Sequence, residues 1–160
     1  MPPFEIENLN SLKECEGREF PATDWFDVTK NRIQNFSEAT EDFQWIHTDA
    51  ERAQRESPFG GVVAHGFLTL SLLSYWVKQA VQIRTGVAMA VNYGLNKVRF
   101  PSVVPAGSQV RARVTLLSAK ESAGFVDVVF LVVVESRGVE GQPSSKPCCV
   151  AEWLVRYYAK

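Results

Sequence analysis

The chain holds only two histidines and three cysteines, and neither a Cys-x-x-Cys nor a His-x-x-x-His spacing occurs. That speaks against a metal centre built from local ligand pairs. The cysteine count is odd, and Cys148 and Cys149 are adjacent. On a strand, neighbours face opposite sides, so the pattern reads as three reduced thiols of a cytoplasmic chain, not a disulfide framework. A basic excess is also missing: 17 Lys and Arg stand against 18 Asp and Glu, for a formal net charge of −1. Nucleic-acid binding would need a clustered cationic surplus. The longest apolar run, Val128 to Val134, is far short of the roughly 20 residues that span a bilayer. The start, MPPFEIENLNSLKECEG, is polar and acidic and has no apolar signal-peptide core. No G-x-G-x-x-G or phosphate-loop pattern is present, so no nucleotide cofactor is indicated.

What remains is an ordinary globular balance, 46% apolar and 22% charged over 160 residues. That length suits one domain, taken as residues 1–160, with enough core to need no staple. No repeat, low-complexity tract or linker divides it. Residues 28–42 predict a helix capped by Thr29, with Ile33, Phe36 and Thr40 on its buried stripe. Residues 48–57 predict a short helix capped by Thr48 or Asp49. Residues 62–83 predict a long helix. Its Phe67, Leu68, Leu70, Leu72, Leu73, Trp76 and Val77 point in nearly every direction, so protein must enclose it. Strands follow over 87–94, 96–102, 108–120, 124–138 and 146–160. In the third, Val110, Ala112 and Val114 alternate with Arg111 and Arg113. The fourth is apolar enough to be a central strand covered on both faces. In the last, Ala151, Trp153, Val155 and Tyr157 share one side. The implied class is α+β, an antiparallel sheet curved around a central helix.

Three segments could carry chemistry. In EDFQWIHTD, residues 41–49, Asp42 and His47 are five positions apart. On one continuous helix they would diverge by about 140°, so they meet only where the helix ends near Asp42 and the chain turns. An Asp and a His that reach one water form a proton-transferring pair near neutral pH. The plain alternative is that Asp42 caps a turn and His47 packs on Trp45. In the second segment, PFGGVVAHGFLTLSLLS, Gly66 falls near the start of the long helix. Free N–H groups there face outward at the positive end of the helix dipole. Gly66 then serves either close helix packing or an oxygen gaining negative charge. Ser74 either lines the same region or bonds back to its own helix. His65 reads as a helix-start histidine satisfied by backbone. In the third segment, Asn92, Tyr93, Asn96, Lys97 and Arg99 are candidates for a polar pocket mouth; Lys97 or Arg99 would meet a phosphate.

These segments, in this order, resemble the MaoC-like dehydratase family, and most of all its NodN-like branch and the (R)-specific enoyl-CoA hydratases. The family pattern D-x-N-P-[LIV]-H, then "hG" and a helical serine, is met here by DFQWIH and FGGVVAHGFLTLSLLS. NYGLNKVRFPSVVPAGSQVRARV fits the NodN-like pattern as well, and the likeness spans about residues 24–158. The usual glycine before the Asp is Glu41, the Asn is Gln44 and the Pro is Trp45. The NodN-like branch commonly has QWIH. Gln44 and Trp45 still bear on the loop and the acyl pocket.

The resemblance implies the hotdog fold, a long central helix wrapped by a curved antiparallel sheet, commonly as a homodimer. It implies an (R)-specific enoyl-CoA hydratase, or 3-hydroxyacyl-thioester dehydratase, acting on an acyl thioester of CoA or acyl carrier protein. Asp42 is the expected base towards water. His47 orients the water and returns a proton, the Gly66 N–H holds the enolate-like oxygen, and Ser74 supports the site. No metal or redox cofactor is needed for that reaction. Two other readings share the fold: an acyl-CoA thioesterase, and a non-catalytic acyl-thioester-binding accessory protein.

Overall fold

The computed structural model describes residues 2–160. Four long strands make the body: β4 (Val87–Arg99), β5 (Gln109–Ser122), β6 (Phe125–Arg137) and β7 (Cys149–Ala159). With the two-residue β2 (Phe26–Asp27) they form an antiparallel sheet in the order β2-β5-β6-β7-β4. The pairing shifts register three times between β4 and β7 and once between β5 and β6. Bulges of this kind bend strands and increase twist, and they help the sheet curl. Inside the curl lies α5 (Leu73–Ala80), preceded by α4 (Gly66–Ser71). A short parallel pair, β1 (Phe4–Ile6) with β3 (Val81–Ile83), ties the start of the chain to the end of α5. No helix among the described residues is long and apolar enough to cross a membrane.

The alternating strands behave as their pattern demands. Val110, Ala112, Val114 and Leu116 of β5 are buried. So are Val126, Val128, Phe130, Val132 and Val134 of β6, and Cys149, Ala151, Trp153 and Val155 of β7. They close on Leu73, Trp76, Val77 and Ala80 of α5 in one contiguous cluster. The β6 strand is central, but only one of its faces is fully buried; the intervening residues are half-exposed. The expectation of cover on both faces is corrected here. The outer face carries ion pairs instead: Arg156 forks Asp127 with two 2.7 Å hydrogen bonds, and Glu135 takes Arg111 at 3.0 Å and Arg113 at 2.9 Å. Arg156 thereby holds the Asp127 carboxyl below its usual pKa range. The three thiols are free, and burial pushes Cys148 up to about 12 and Cys149 up to about 11.

Three expected boundaries change. The helix expected over 62–83 is two helices, 66–71 and 73–80, which meet at Leu72. Residues 62–64 are extended because neighbours on both sides use their backbone: Val63 N–H donates to Ile46, Ala64 N–H to Val104, and Ala106 N–H to Val62. Residues 81–83 pair with β1 and so leave the helix. The expected enclosure also holds on only part of the circumference: Phe67 is 68% exposed and Tyr75 is exposed as well. The strands expected over 87–94 and 96–102 are one bulged strand, β4. On α1 (Lys30–Thr40) Thr29 is the N-cap, accepting from the Arg32 N–H. Its buried residues are Ile33 and Ser37, not Thr40, which is exposed.

Trp76 is fully buried at the centre of the cluster, and its indole N–H has no hydrogen-bond partner among the described residues. Trp76→Ala is expected to lower the unfolding free energy by about 3–5 kcal/mol. Trp76→Phe is expected to cost clearly less, because it also removes an unsatisfied donor worth about 1–3 kcal/mol. Urea denaturation of the two variants checks both the size and the order of the losses.

Candidate active site

The helix α1 stops at Thr40 because Glu41 takes a left-handed conformation, φ 57°. A non-glycine residue there costs about 1–2 kcal/mol, yet the turn it makes is what redirects the chain. Asp42 follows, 51% exposed on its side chain, and its Oδ1 accepts the Gln44 N–H at 3.3 Å. This Asx turn starts the single-turn helix α2 (Trp45–Thr48), with Gln44 as its N-cap. Asp49 then caps α3 (Ala50–Glu56) by accepting from Arg52 N–H at 2.9 Å. The chain has thus doubled back within five residues, and His47 stands beside Asp42.

His47 is held firmly. Its Nδ1 lies 2.6 Å from the Val63 carbonyl, which can only accept, so Nδ1 carries the hydrogen. The other nitrogen, Nε2, is then a bare lone pair in the neutral ring. The His47 ring stacks on His65 with centroids 3.7 Å apart and planes 27° from parallel. Burial is the main cause that lowers the His47 pKa from the ordinary 6.5; His65 lowers it further, while the Val63 hydrogen bond and the Asp42 charge work the other way. The ring is therefore neutral at pH 7.

Asp42, His47 and His65 each bring one side-chain atom within 4.8 Å of the others. A water making two hydrogen bonds of about 2.8 Å at a tetrahedral angle bridges atoms roughly 4.6 Å apart. The spacing suits one shared water. It suits a metal less well: ligands sit about 2.0–2.1 Å from zinc, and His47 Nδ1 and His65 Nε2 already face the Val63 and Asp42 carbonyls. His47 also opens on a groove of about 350 Å³ lined by Lys30, Asn31, Gln34, Thr48, Ala50 and Val62.

The remaining candidates fall in different places. Gly66 is the first residue of α4, next to His65. A Cβ there would meet the Phe100 ring at 3.1–3.2 Å, so a larger residue requires that exposed ring to give by a few tenths of an ångström. Ser74 is not beside His47. It faces two adjoining clefts, of about 560 and 350 Å³, between the helices and the sheet; both also take in Asn92 and Trp153. The larger cleft is lined by neither Asp42 nor His47. The hydroxyl that bonds back to its own helix is Ser71's, to Leu68 at 2.7 Å. Trp45 is half-buried, with the Arg52 guanidinium 4.4 Å above its ring, so it does not stack on His47. Asn92, Lys97 and Arg99 are exposed on β4.

His65 is a helix-start histidine with a backbone partner, as its sequence position suggests, but that partner is the Asp42 carbonyl at 3.1 Å and not its own helix. It is 3% exposed and reaches Asp42 with its side chain, which makes no cap to its own helix. The available signal was its place before Gly66 in a chain with only two histidines.

With two histidines the titration is simple to read. Proton–nitrogen NMR is expected to find His47 protonated at Nδ1 in its neutral form, with a midpoint below 6.5. Asp42→Asn removes an influence that raises the midpoint, so the value is expected to fall further. A rise in that variant would contradict the placement of Asp42.

The model of the MaoC like domain matches residues 12–136. A 3-hydroxyacyl-thioester dehydratase Z of Mycobacterium tuberculosis is 45% identical over 155 residues, 96% of this chain and 98% of that protein. A nodulation protein N of Rhizobium leguminosarum is 41% identical over 139 residues, 87% of this chain and 84% of that one. Among solved structures, the unliganded R-hydratase of Pseudomonas aeruginosa superposes with a TM-score of 0.68 at 19% identity, covering 91% of this chain and 83% of that one. It has the same curled sheet and helix, the hotdog fold. Family match and identity extend over most of the sequence, and the chain belongs to the MaoC-like domain family.

Proposed function

We propose that the chain is a hydro-lyase that interconverts trans-2-enoyl and (R)-3-hydroxyacyl thioesters, with Asp42 and His47 as its proton-transferring pair. One observation carries the reading: the His47 imidazole, anchored at Nδ1 by the Val63 carbonyl, brings a ring nitrogen within 4.8 Å of a carboxylate oxygen of the solvent-facing Asp42. The 45% identity to a 3-hydroxyacyl-thioester dehydratase supports it.

In the hydration direction one water sits between the pair. Asp42 accepts one O–H and is the base. The lone pair on His47 Nε2 accepts the other O–H and orients the oxygen towards C3. As the C3–O bond forms, charge moves onto the thioester oxygen, where the Gly66 N–H at the start of α4 receives it. The pair takes one proton from the water and returns one to C2, so hydroxyl and hydrogen are added and the pair ends as it began. Dehydration runs the same steps backwards. Ser74 and Asn92 belong to the clefts beyond, on the path of an acyl chain, and Lys97 and Arg99 are exposed cations for a carrier's phosphates, Arg99 also donating to the Val98 carbonyl at 2.7 Å. A cytoplasmic setting agrees with three free thiols, and acyl-thioester metabolism with the reaction.

A homodimer completes the proposal. The β4 strand is the outer edge of the sheet and exposes Met89, Val91, Tyr93 and Leu95, with Phe67 and Phe100 also exposed. Unpaired edges with apolar side chains invite another strand, and a second copy would cover the clefts that hold Ser74. Leu95→Glu is expected to raise the monomer fraction in light scattering.

Purified protein with crotonyl-CoA is expected to consume the enoyl absorbance. Release of free thiol would indicate a thioesterase instead, and calorimetric binding without either change an accessory protein. Asp42→Asn and His47→Asn are each expected to lower kcat by about 10²–10⁴-fold with unchanged circular dichroism. Because the His47 pKa is lowered, its neutral form persists below pH 6.5, and the acidic limb of the wild-type rate profile is expected there. A limb above 6.5 would assign the titration to another group.

A further inference from the structure

We propose that His65 is a positioning residue for this reaction, one that clamps the backbone of Asp42 and backs the ring of His47. The proposal rests on the hydratase reading of the same site. The tautomer of His65 is set by its neighbours. His65 Nε2 lies 3.1 Å from the Asp42 carbonyl oxygen and 3.4 Å from Ser37 Oγ. The carbonyl can only accept. The Ser37 hydroxyl donates to the Ile33 carbonyl at 3.1 Å, so towards His65 it too presents a lone pair. Two acceptors at one nitrogen place the hydrogen there, and Nε2–H is the donor.

The consequence falls on both reacting groups. The Nε2–H holds Asp42 by its main chain, in the turn whose other end is set by the left-handed Glu41. The Asp42 carboxylate Oδ2 stays 3.9 Å away, beyond a hydrogen bond, and remains open to solvent. The clamp thus fixes where the base stands without occupying its oxygens. The ring of His65 lies against His47 on one side and tilts against Phe36 on another, at 5.0 Å. His47 is pinned at Nδ1 by Val63, and the stack removes its remaining freedom to swing about that bond. The groups that face His47 from elsewhere are Asp42 and, on the groove wall, Lys30.

A histidine serving only the core would not be built this way. Its Nδ1 is buried and has no hydrogen-bond partner among the described residues. An unsatisfied buried acceptor costs about 1–3 kcal/mol, and an apolar side chain of similar size would avoid it. What the imidazole supplies, and such a side chain lacks, is the donor to Asp42 on a flat ring.

Two substitutions divide these parts. His65→Phe keeps a ring against His47 and loses the donor. His65→Gln carries an amide N–H out to about the place of Nε2 and loses the ring. Hydration of crotonyl-CoA is expected to show kcat reduced about 10- to 100-fold in His65→Phe, KM within about twofold, and kcat substantially restored in His65→Gln. Wild-type kcat per folded molecule in both variants would overturn the proposal. Equal losses in both would overturn the donor assignment. A third measurement needs neither activity nor a variant that folds: proton–nitrogen NMR of the wild-type protein is expected to find the His65 hydrogen on Nε2, and a hydrogen on Nδ1 would overturn the clamp. A wild-type protein inactive on enoyl thioesters, with the Nε2–H in place, would overturn the hydratase reading and leave the clamp standing.

Discussion

The hydrogen bond from His47 Nδ1 to the Val63 carbonyl, 2.6 Å long, joins the two halves of the site. It links a one-turn helix to an extended segment that would otherwise continue α4 backwards. The same residue returns a bond, Val63 N–H to Ile46, so the two segments grip each other at adjacent positions. Val62 and Ala64 are held from the other side, by Ala106 and Val104. Residues 62–64 are therefore a strap between two loops. Its tension-free extended form brings His65 and Gly66 beside His47, and its carbonyl decides which nitrogen of His47 is free for chemistry.

Around this point the fold separates strength from reactivity. Trp76, Phe130 and the strand valines form the enclosed cluster. Asp42, by contrast, lies on a turn in the open, with half of its side chain exposed to solvent. His47 lies between these regimes. Partial burial keeps it neutral, and the Asp42 charge opposes that effect without overcoming it. The proposed pair thus combines one solvent-exposed acid with one half-buried imidazole.

The uncovered flank makes the chain look unfinished on one side. The edge strand β4 and the exposed Phe67, Tyr75 and Phe100 border the clefts that contain Ser74 and Asn92. An apolar helix half wrapped by its own sheet, with an apolar edge beside it, has the character of a surface made for further cover.

Much of this was legible in the residue pattern. Thr29 marked the start of α1, alternation marked the faces of β5 and β7, and the spacing of Asp42 and His47 required a turn between them, which begins at the left-handed Glu41. Local chemistry suffices for such features, because caps and period-two alternation act within a few residues. Tertiary packing decided the rest. Residues 62–64 look helical by composition but are drawn straight by partners about 16 and 40 positions away in sequence. The β6 strand looks buried on both faces, yet ion pairs from its neighbours occupy one of them. His65 reads as a helix-start residue, and only the return of α1 and its turn places the Asp42 carbonyl within reach of its ring. Such contacts depend on distances between segments that no local spacing encodes.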